Sequence, residues 1–121
     1  MKITILIPVF NDWQSVFKLV ENINNLTIDQ KFEISIIILN DASSHDRIQE
    51  NVNFDNIKSI KIVNMKINQG HSRCIATGLK YIYEKENFDY VIPMDGDGED
   101  RPEEIVDFLN KTNEIVNKPL V

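Results

Sequence analysis

A single cysteine, Cys74, leaves this 121-residue chain without any internal disulfide. Its folding must rest on a packed core, and a reducing compartment is the simpler expectation. Cys74 lies among apolar residues and reads as a small core residue rather than a nucleophile. Positive charge is also scarce. Thirteen Lys and Arg face nineteen Asp and Glu, a net charge of −6, which excludes nucleic-acid binding through a basic surface. Long hydrophobic runs are missing as well. No segment reaches the roughly 20 apolar residues of a membrane span. The opening "MKITILIPVF" is too short and too interrupted by Pro8 for a signal peptide, and reads as a first strand. There is no G-x-x-x-x-G-K-[ST], and the N-x-G at 68–70 does not match a dinucleotide fingerprint. The two histidines, His45 and His71, form no His-x-x-His pattern and read as polar surface or loop residues rather than metal ligands.

What is present is a regular alternation of apolar runs. The hydrophobic share of 42% suffices for one core and one domain. Residues 2–9 and 32–40 are rich in Ile and suit strands buried on both faces. Residues 59–65 and 89–94 read as two further strands. Pro8 cannot donate to a ladder, so pairing is expected to end near it. Between strands, Val16, Leu19, Val20 and Ile23 recur at helical spacing over 13–25, with Asn11 or Asp12 as the cap. Cys74, Ile75, Leu79, Ile82 and Tyr83 do so over 71–86. Gly78 inside that helix costs about 1 kcal/mol relative to Ala, and either close packing or approach of a ligand would account for it. A short helix is expected around 45–51. "DRPEEIVDFLNKTNEIV" reads as a last helix, with Asp100 and Glu103 at capping-box spacing and Pro102 in its first turn. The final "KPLV" resembles the start of another strand, so the chain reads as part of a longer domain. Strands alternating with helices predict a mostly parallel sheet with helices on both faces, a three-layer α/β/α arrangement.

The acidic residues fall where such a sheet binds ligands. Open parallel sheets hold them outside the carboxyl ends of the strands. There the first strand runs into "IPVFND", the second into "LNDASS" and the fourth into "MDGDGED". Asp12, Asp41, Asp95 and Asp97 are therefore expected at one edge. Carboxylates gathered in one cleft repel each other, and a hard divalent cation, Mg²⁺ or Mn²⁺, would offset them and leave room for phosphate. The same letters allow plainer readings. Asp41-Ala-Ser-Ser is also the composition of an Asx-type turn, and an acidic loop with glycine is common. An EF-hand is excluded by the absent downstream ligands.

Four segments in order resemble family 2 glycosyltransferases of the GT-A fold. "IPVFND" looks like their first-strand nucleotide motif, and "ILNDASSHD" is similar to their "VDDGSxD" loop. "NQGHSRCIATGLKYI" looks like their "NxGhxxAixxGl" segment, and "MDGDGEDRPEEI" is similar to the "DxDgqdxPe" segment around their DXD motif. The last two most resemble the branch that transfers sugars to polyprenyl phosphate. The resemblance implies a Rossmann-like GT-A sheet and an inverting, metal-dependent transfer from a UDP- or GDP-sugar, serving polysaccharide or glycolipid synthesis. Pro8, Val9, Phe10 and Asp12 would line the nucleotide pocket, and Asp41 would accept from the base. Gly96 would admit the ribose and phosphates. Asp95 and Asp97 would be the DXD pair on Mg²⁺ or Mn²⁺, with Glu99 an accessory in the metal sphere.

Two departures stand in the second motif: Asn40 replaces its first Asp and Ala42 its Gly. The family's catalytic carboxylate and acceptor half are expected beyond residue 121, so the chain alone is expected to be inactive. The surface left by that truncation is expected to favour self-association. The whole protein is expected in the cytoplasm, at the cytoplasmic face of the membrane if its acceptor is polyprenyl phosphate. A non-catalytic nucleotide-binding module is the alternative. A receiver-like signalling domain is disfavoured, because the third strand, "VNMKIN", carries no phospho-acceptor Asp.

Overall fold

The computed structural model describes residues 1–44, 54–96 and 101–117. Strands β1 (Lys2–Val9), β2 (Glu33–Asn40), β3 (Ser59–Asn64) and β4 (Tyr90–Pro93) form one sheet in the order β3-β2-β1-β4. Every pairing is parallel. Helices α1 (Trp13–Asn24), α2 (His71–Lys85) and α3 (Glu103–Asn117) connect or follow the strands. The helix expected around 45–51 lies outside the described residues.

The side-chain period of two divides each central strand between two cores. On β1, Ile3, Ile5, Ile7 and Val9 face the same way as Ile34, Ile36 and Ile38 of β2. Against them pack Trp13, Val16, Leu19, Val20 and Ile23 of α1 and Ile105 and Leu109 of α3. Leu6, Ile37 and Leu39 face the other way and meet Cys74 and Ile82 of α2. Both faces are thus covered, as the uninterrupted Ile runs predicted, and the three layers follow. Gly78 is where α2 comes nearest the sheet. A Cβ there would fall 2.8 Å from both Cδ atoms of Leu6, so close packing accounts for this glycine.

The helix starts refine the sequence reading. Asp12, not Asn11, caps α1, accepting from Ser15 N at 3.3 Å. α3 begins at Glu103, so Pro102 stands just ahead of the helix rather than in its first turn. The entry is closed by tighter bonds, from Glu104 N to Arg101 O and from Ile105 N to Pro102 O, each 3.0 Å. Asp100, the expected capping residue, lies outside the described residues.

Pro8 acts on one side only. β1 stays paired with β2 through Pro8↔Leu39 and Val9↔Asn40, whereas its register with β4 ends at Leu6↔Pro93. Leu6 O accepts from Met94 N and Val9 O from Asp41 N. Backbone groups alternate sides along a strand, so Leu6 and Pro8 turn toward β4 and Val9 toward β2. The N–H that Pro8 lacks is one that would have faced β4. The expected end of pairing is therefore confined to that side, and the two strands part there.

Candidate functional site

The strand order reverses at β1. The chain steps from β1 to β2 to β3 in one direction, then places β4 on the opposite side of β1. In open α/β sheets the crevice at such a switch point, outside the carboxyl ends, is where ligands bind. A cavity of about 160 Å³ lies there, lined by Pro8, Val9, Phe10, Asp12, Val16, His71, Asp95 and Gly96. A second, of about 280 Å³, adjoins it toward β2 and is lined by Pro8, Val9, Phe10, Asp41, Asn68, Gly70, His71 and Cys74. Pro8, Val9, Phe10 and His71 border both. Phe10 stands 53% exposed at this shared border, an apolar face left in water by a chain that buries most others.

The loops that carry these residues are held by polar side chains. Asn11 adopts a left-handed backbone, φ 67°, which Asn tolerates better than most residues. Its Oδ1 accepts from Ser44 N at 2.7 Å and from Ser44 Oγ at 3.2 Å, while its own N–H donates to Ser43 Oγ at 2.9 Å. The β1–α1 loop is thereby tied to the loop after β2. Asn40 extends the tie toward β3. Its Nδ2 donates to Asn64 Oδ1 at 3.0 Å, and its Oδ1 accepts from Ser43 N at 3.0 Å. An ionised Asp, the residue of the resembling motif, offers no donor for the first of these bonds.

Asp41 is only 3% exposed. A buried carboxylate is costly unless its oxygens are satisfied. Oδ1 accepts from Gln69 N at 2.8 Å, and Oδ2 from Gly70 N at 3.0 Å and Asn68 Nδ2 at 3.1 Å. Asn68 also donates to the Asp41 carbonyl at 3.1 Å. The charge of Asp41 is thus offset by the donors of the turn that opens α2. Of a carboxylate's four or so lone-pair sites, about one remains toward the larger cavity. Burial, with Asp41 as a second cause, pushes the Cys74 thiol up to about 11. Cys74 is therefore the inert core residue expected of it.

Asp95 sits between two anchors. Met94 N donates to Leu6 O at 2.9 Å, and Gly96 packs so tightly on α1 that a Cβ would fall 2.6 Å from Val16 Cγ2. The Asp95 carboxylate reaches across the crevice to His71, with Oδ1 2.9 Å from Nε2. His71, expected to be a polar surface or loop residue, is exposed at the first position of α2 and borders both cavities. No local pattern marks it, because its partner lies 24 positions away and meets it only through the sheet order. Asp12, Asp95 and Gly96 thus share the smaller cavity, and Asp41 faces the larger. Asp97 and Glu99 lie outside the described residues. Among the described residues, no three His, Cys, Asp or Glu side chains are grouped so as to hold a metal ion. None of the described helices is long and apolar enough to cross a membrane.

The sequence profile described as Glycosyl transferase family 2 matches residues 4–117. An uncharacterized glycosyltransferase of Synechocystis is 27% identical over 115 residues, 94% of this chain and 35% of that protein. An uncharacterized protein of Methanocaldococcus jannaschii is 26% identical over 109 residues, 88% of this chain and 44% of that protein. The chain therefore spans less than half the length of these curated relatives. Crystal structures of residues 1–349 of S. aureus TarS, one of them in complex with UDP-GlcNAc, superpose with TM-scores of 0.68 at 16% identity, covering 94% of this chain and about a third of theirs. The complex with UDP gives 0.67 at 17% identity, covering 94% of this chain and 32% of that one. Identity that low speaks for the fold alone, and the fold is the GT-A, Rossmann-like one.

Proposed function

The chain belongs to glycosyl transferase family 2, and from that premise we propose that it forms the donor-binding part of an enzyme that moves a sugar from a nucleotide diphosphate to an acceptor. The observation that carries this reading is the pair of adjoining cavities at the β1/β4 switch point, bordered jointly by Pro8, Val9, Phe10 and His71. The larger one suits a base. Phe10 and Val9 offer apolar surface, and Asp41 and Asn68 offer polar edges. UDP is the first nucleotide to test, because it is the one seen with TarS; GDP is the second.

The smaller cavity suits the diphosphate only with help. No Lys or Arg lines either cavity among the described residues, whereas Asp12 and Asp95 line the smaller one. A diphosphate entering it would meet like charge. The half-exposed Asp95 carboxylate is a hard oxygen donor and fits Mg²⁺ or Mn²⁺. Asp97, with Glu99 as accessory, would complete the set. When bound, such a cation supplies positive charge to a departing diphosphate. The chain's own residues do the rest. Gly96 closes the cavity wall against Val16. Phe10 excludes water from one face, and Asp41 holds the turn at Asn68–Gly70 in place. An inverting transfer with its catalytic carboxylate beyond residue 121 completes the reading. A polyprenyl phosphate is the proposed acceptor, supported by the resemblance of "NQGHSRCIATGLKYI" and "MDGDGEDRPEEI" to that branch; it would set the whole protein at the cytoplasmic face of a membrane. Such an acceptor is already anionic and needs positioning more than a general base.

Calorimetry with UDP, GDP and their sugars, with and without Mn²⁺, tests the site. Metal-dependent affinity that disappears in Asp97→Ala supports it. Affinity that ignores both the metal and that substitution would point instead to a nucleotide-binding module without a DXD site.

A further inference from the structure

We propose that His71 is a positioning residue that aims the Asp95 carboxylate into the donor cavity. The proposal rests on the donor-site reading above and adds a residue to it. The backbone around Asp95 is already pinned. On one side Met94 is 6% exposed and its N–H donates to Leu6 O at 2.9 Å. On the other, buried Gly96 abuts Val16 Cγ2. Those anchors act on the backbone alone, and an Asp side chain has several staggered choices, among which its polar partners select. The His71 ring narrows them, with Nε2 2.9 Å from Oδ1. An ionised carboxylate can only accept, so Nε2 carries the proton.

His71 is in turn well placed to act as a fixed point. It opens α2, whose Cys74 and Ile82 are fully buried against Leu6, Ile37 and Leu39. The turn before it is held by the two Asp41 bonds to Gln69 N and Gly70 N. A rigid path therefore runs from the Asp41 carboxylate through the start of α2 to His71, and across the crevice to Asp95. The two acidic residues, 54 positions apart in the chain, are linked by it. Preorganising a ligand-binding carboxylate in this way favours binding by removing the cost of orienting it.

The test is calorimetric titration of the chain with UDP and with GDP, each with Mn²⁺, for wild type, His71→Ala, His71→Gln, Asp95→Asn and the double variant His71→Ala/Asp95→Asn. Thermal unfolding of each is followed alongside. His71→Ala should weaken binding roughly three- to tenfold, about the net worth of one ordinary hydrogen bond, without moving the thermal midpoint. The Gln amide reaches to a similar position and should restore most of the loss. In the Asp95→Asn background, removing His71 should cost clearly less than it does in wild type, because the two act as one unit. Wild-type binding with an unaffected His71→Ala, a His71→Gln as weak as His71→Ala, or strictly additive losses would overturn the proposal alone. Failure of the wild type to bind either nucleotide would overturn the donor-site reading and this proposal with it.

Discussion

Gly96 and Val16 are in such close contact that a single methyl group on the glycine would fall 2.6 Å from Val16 Cγ2. One residue lies at the start of the acidic loop after β4, the other is a buried, β-branched position of α1. Val16 cannot turn aside, because a helical Val has essentially one χ1 rotamer. Gly96→Ala is expected to destabilise the protein by about 1–3 kcal/mol, the range for overpacking a tight contact. Urea denaturation measures this. Combining it with Val16→Ala should cost less than the two single losses added, and simple additivity would show that the contact is not the cause.

Ala42 is held at φ 57°, where an L-residue with a Cβ is strained by about 1–2 kcal/mol. Glycine, the residue that the resembling motif carries there, removes that strain but frees the unfolded chain by about 0.4–1 kcal/mol. Ala42→Gly is therefore expected to stabilise by about 0.5–1 kcal/mol. That is a rise in Tm of about 2–5 °C for a domain of this size. A lower Tm would count against the strain.

Removing Asp41 should be the most damaging single change at the site. Asp41→Ala leaves the Gln69 and Gly70 N–H groups and the Asn68 amide without their acceptor. A loss of about 3 kcal/mol is expected, as for other breaks in buried charge-assisted networks. Asp41→Asn keeps one acceptor oxygen but sets an amide against a donor, so its loss should be smaller. Chemical denaturation separates the two, and equal stability of Asp41→Ala and wild type would sink the argument.

Cys74 should resist alkylation in the native protein. Its thiol is pushed up to about 11 from an ordinary value of 9.0, first by burial and then by the Asp41 charge. At pH 8 iodoacetamide should react slowly, at a rate set by opening, and rapidly once urea unfolds the chain. The unfolded thiol ionises first as pH rises. Its contribution to stability is therefore complete below pH 9 and is lost between about 9 and 11. Fast native labelling at pH 8 would contradict the burial.

The amino-acid sequence by itself determined the layers. Ile-rich strands that become apolar at consecutive positions, 5–9 and 36–39, demand cover on both faces, and the helical spacings of Val16, Leu19, Val20 and Ile23 in α1 and of Cys74 and Ile82 in α2 supply it. These are short-range periodicities, legible in a window of about ten residues. The candidate site was legible in two ways: Asp12, Asp41 and Asp95 from their place at strand ends, and Pro8, Val9, Phe10 and Gly96 from the resemblance to family 2 glycosyltransferases; the two cavities are bordered by all of them. Asp97 and Glu99 lie outside the described residues.

What only the tertiary structure decided is who meets whom at that edge. The order β3-β2-β1-β4 sets the fourth strand beside the first, so the pairing of Asp95 with His71 and of Asp41 with Gln69 and Gly70 depends on crossovers that no local pattern records. The choice between Asn11 and Asp12 as the cap had the same origin. Both have the right chemistry, and it was the loop after β2, reaching Asn11 through Ser43 and Ser44, that left Asp12 to the helix. Burial decided Asp41 in the same way. A carboxylate that could have been a surface turn or one of a metal-bound cluster became the acceptor that holds the start of α2, where the Gln69 and Gly70 N–H groups and the Asn68 amide offset its charge.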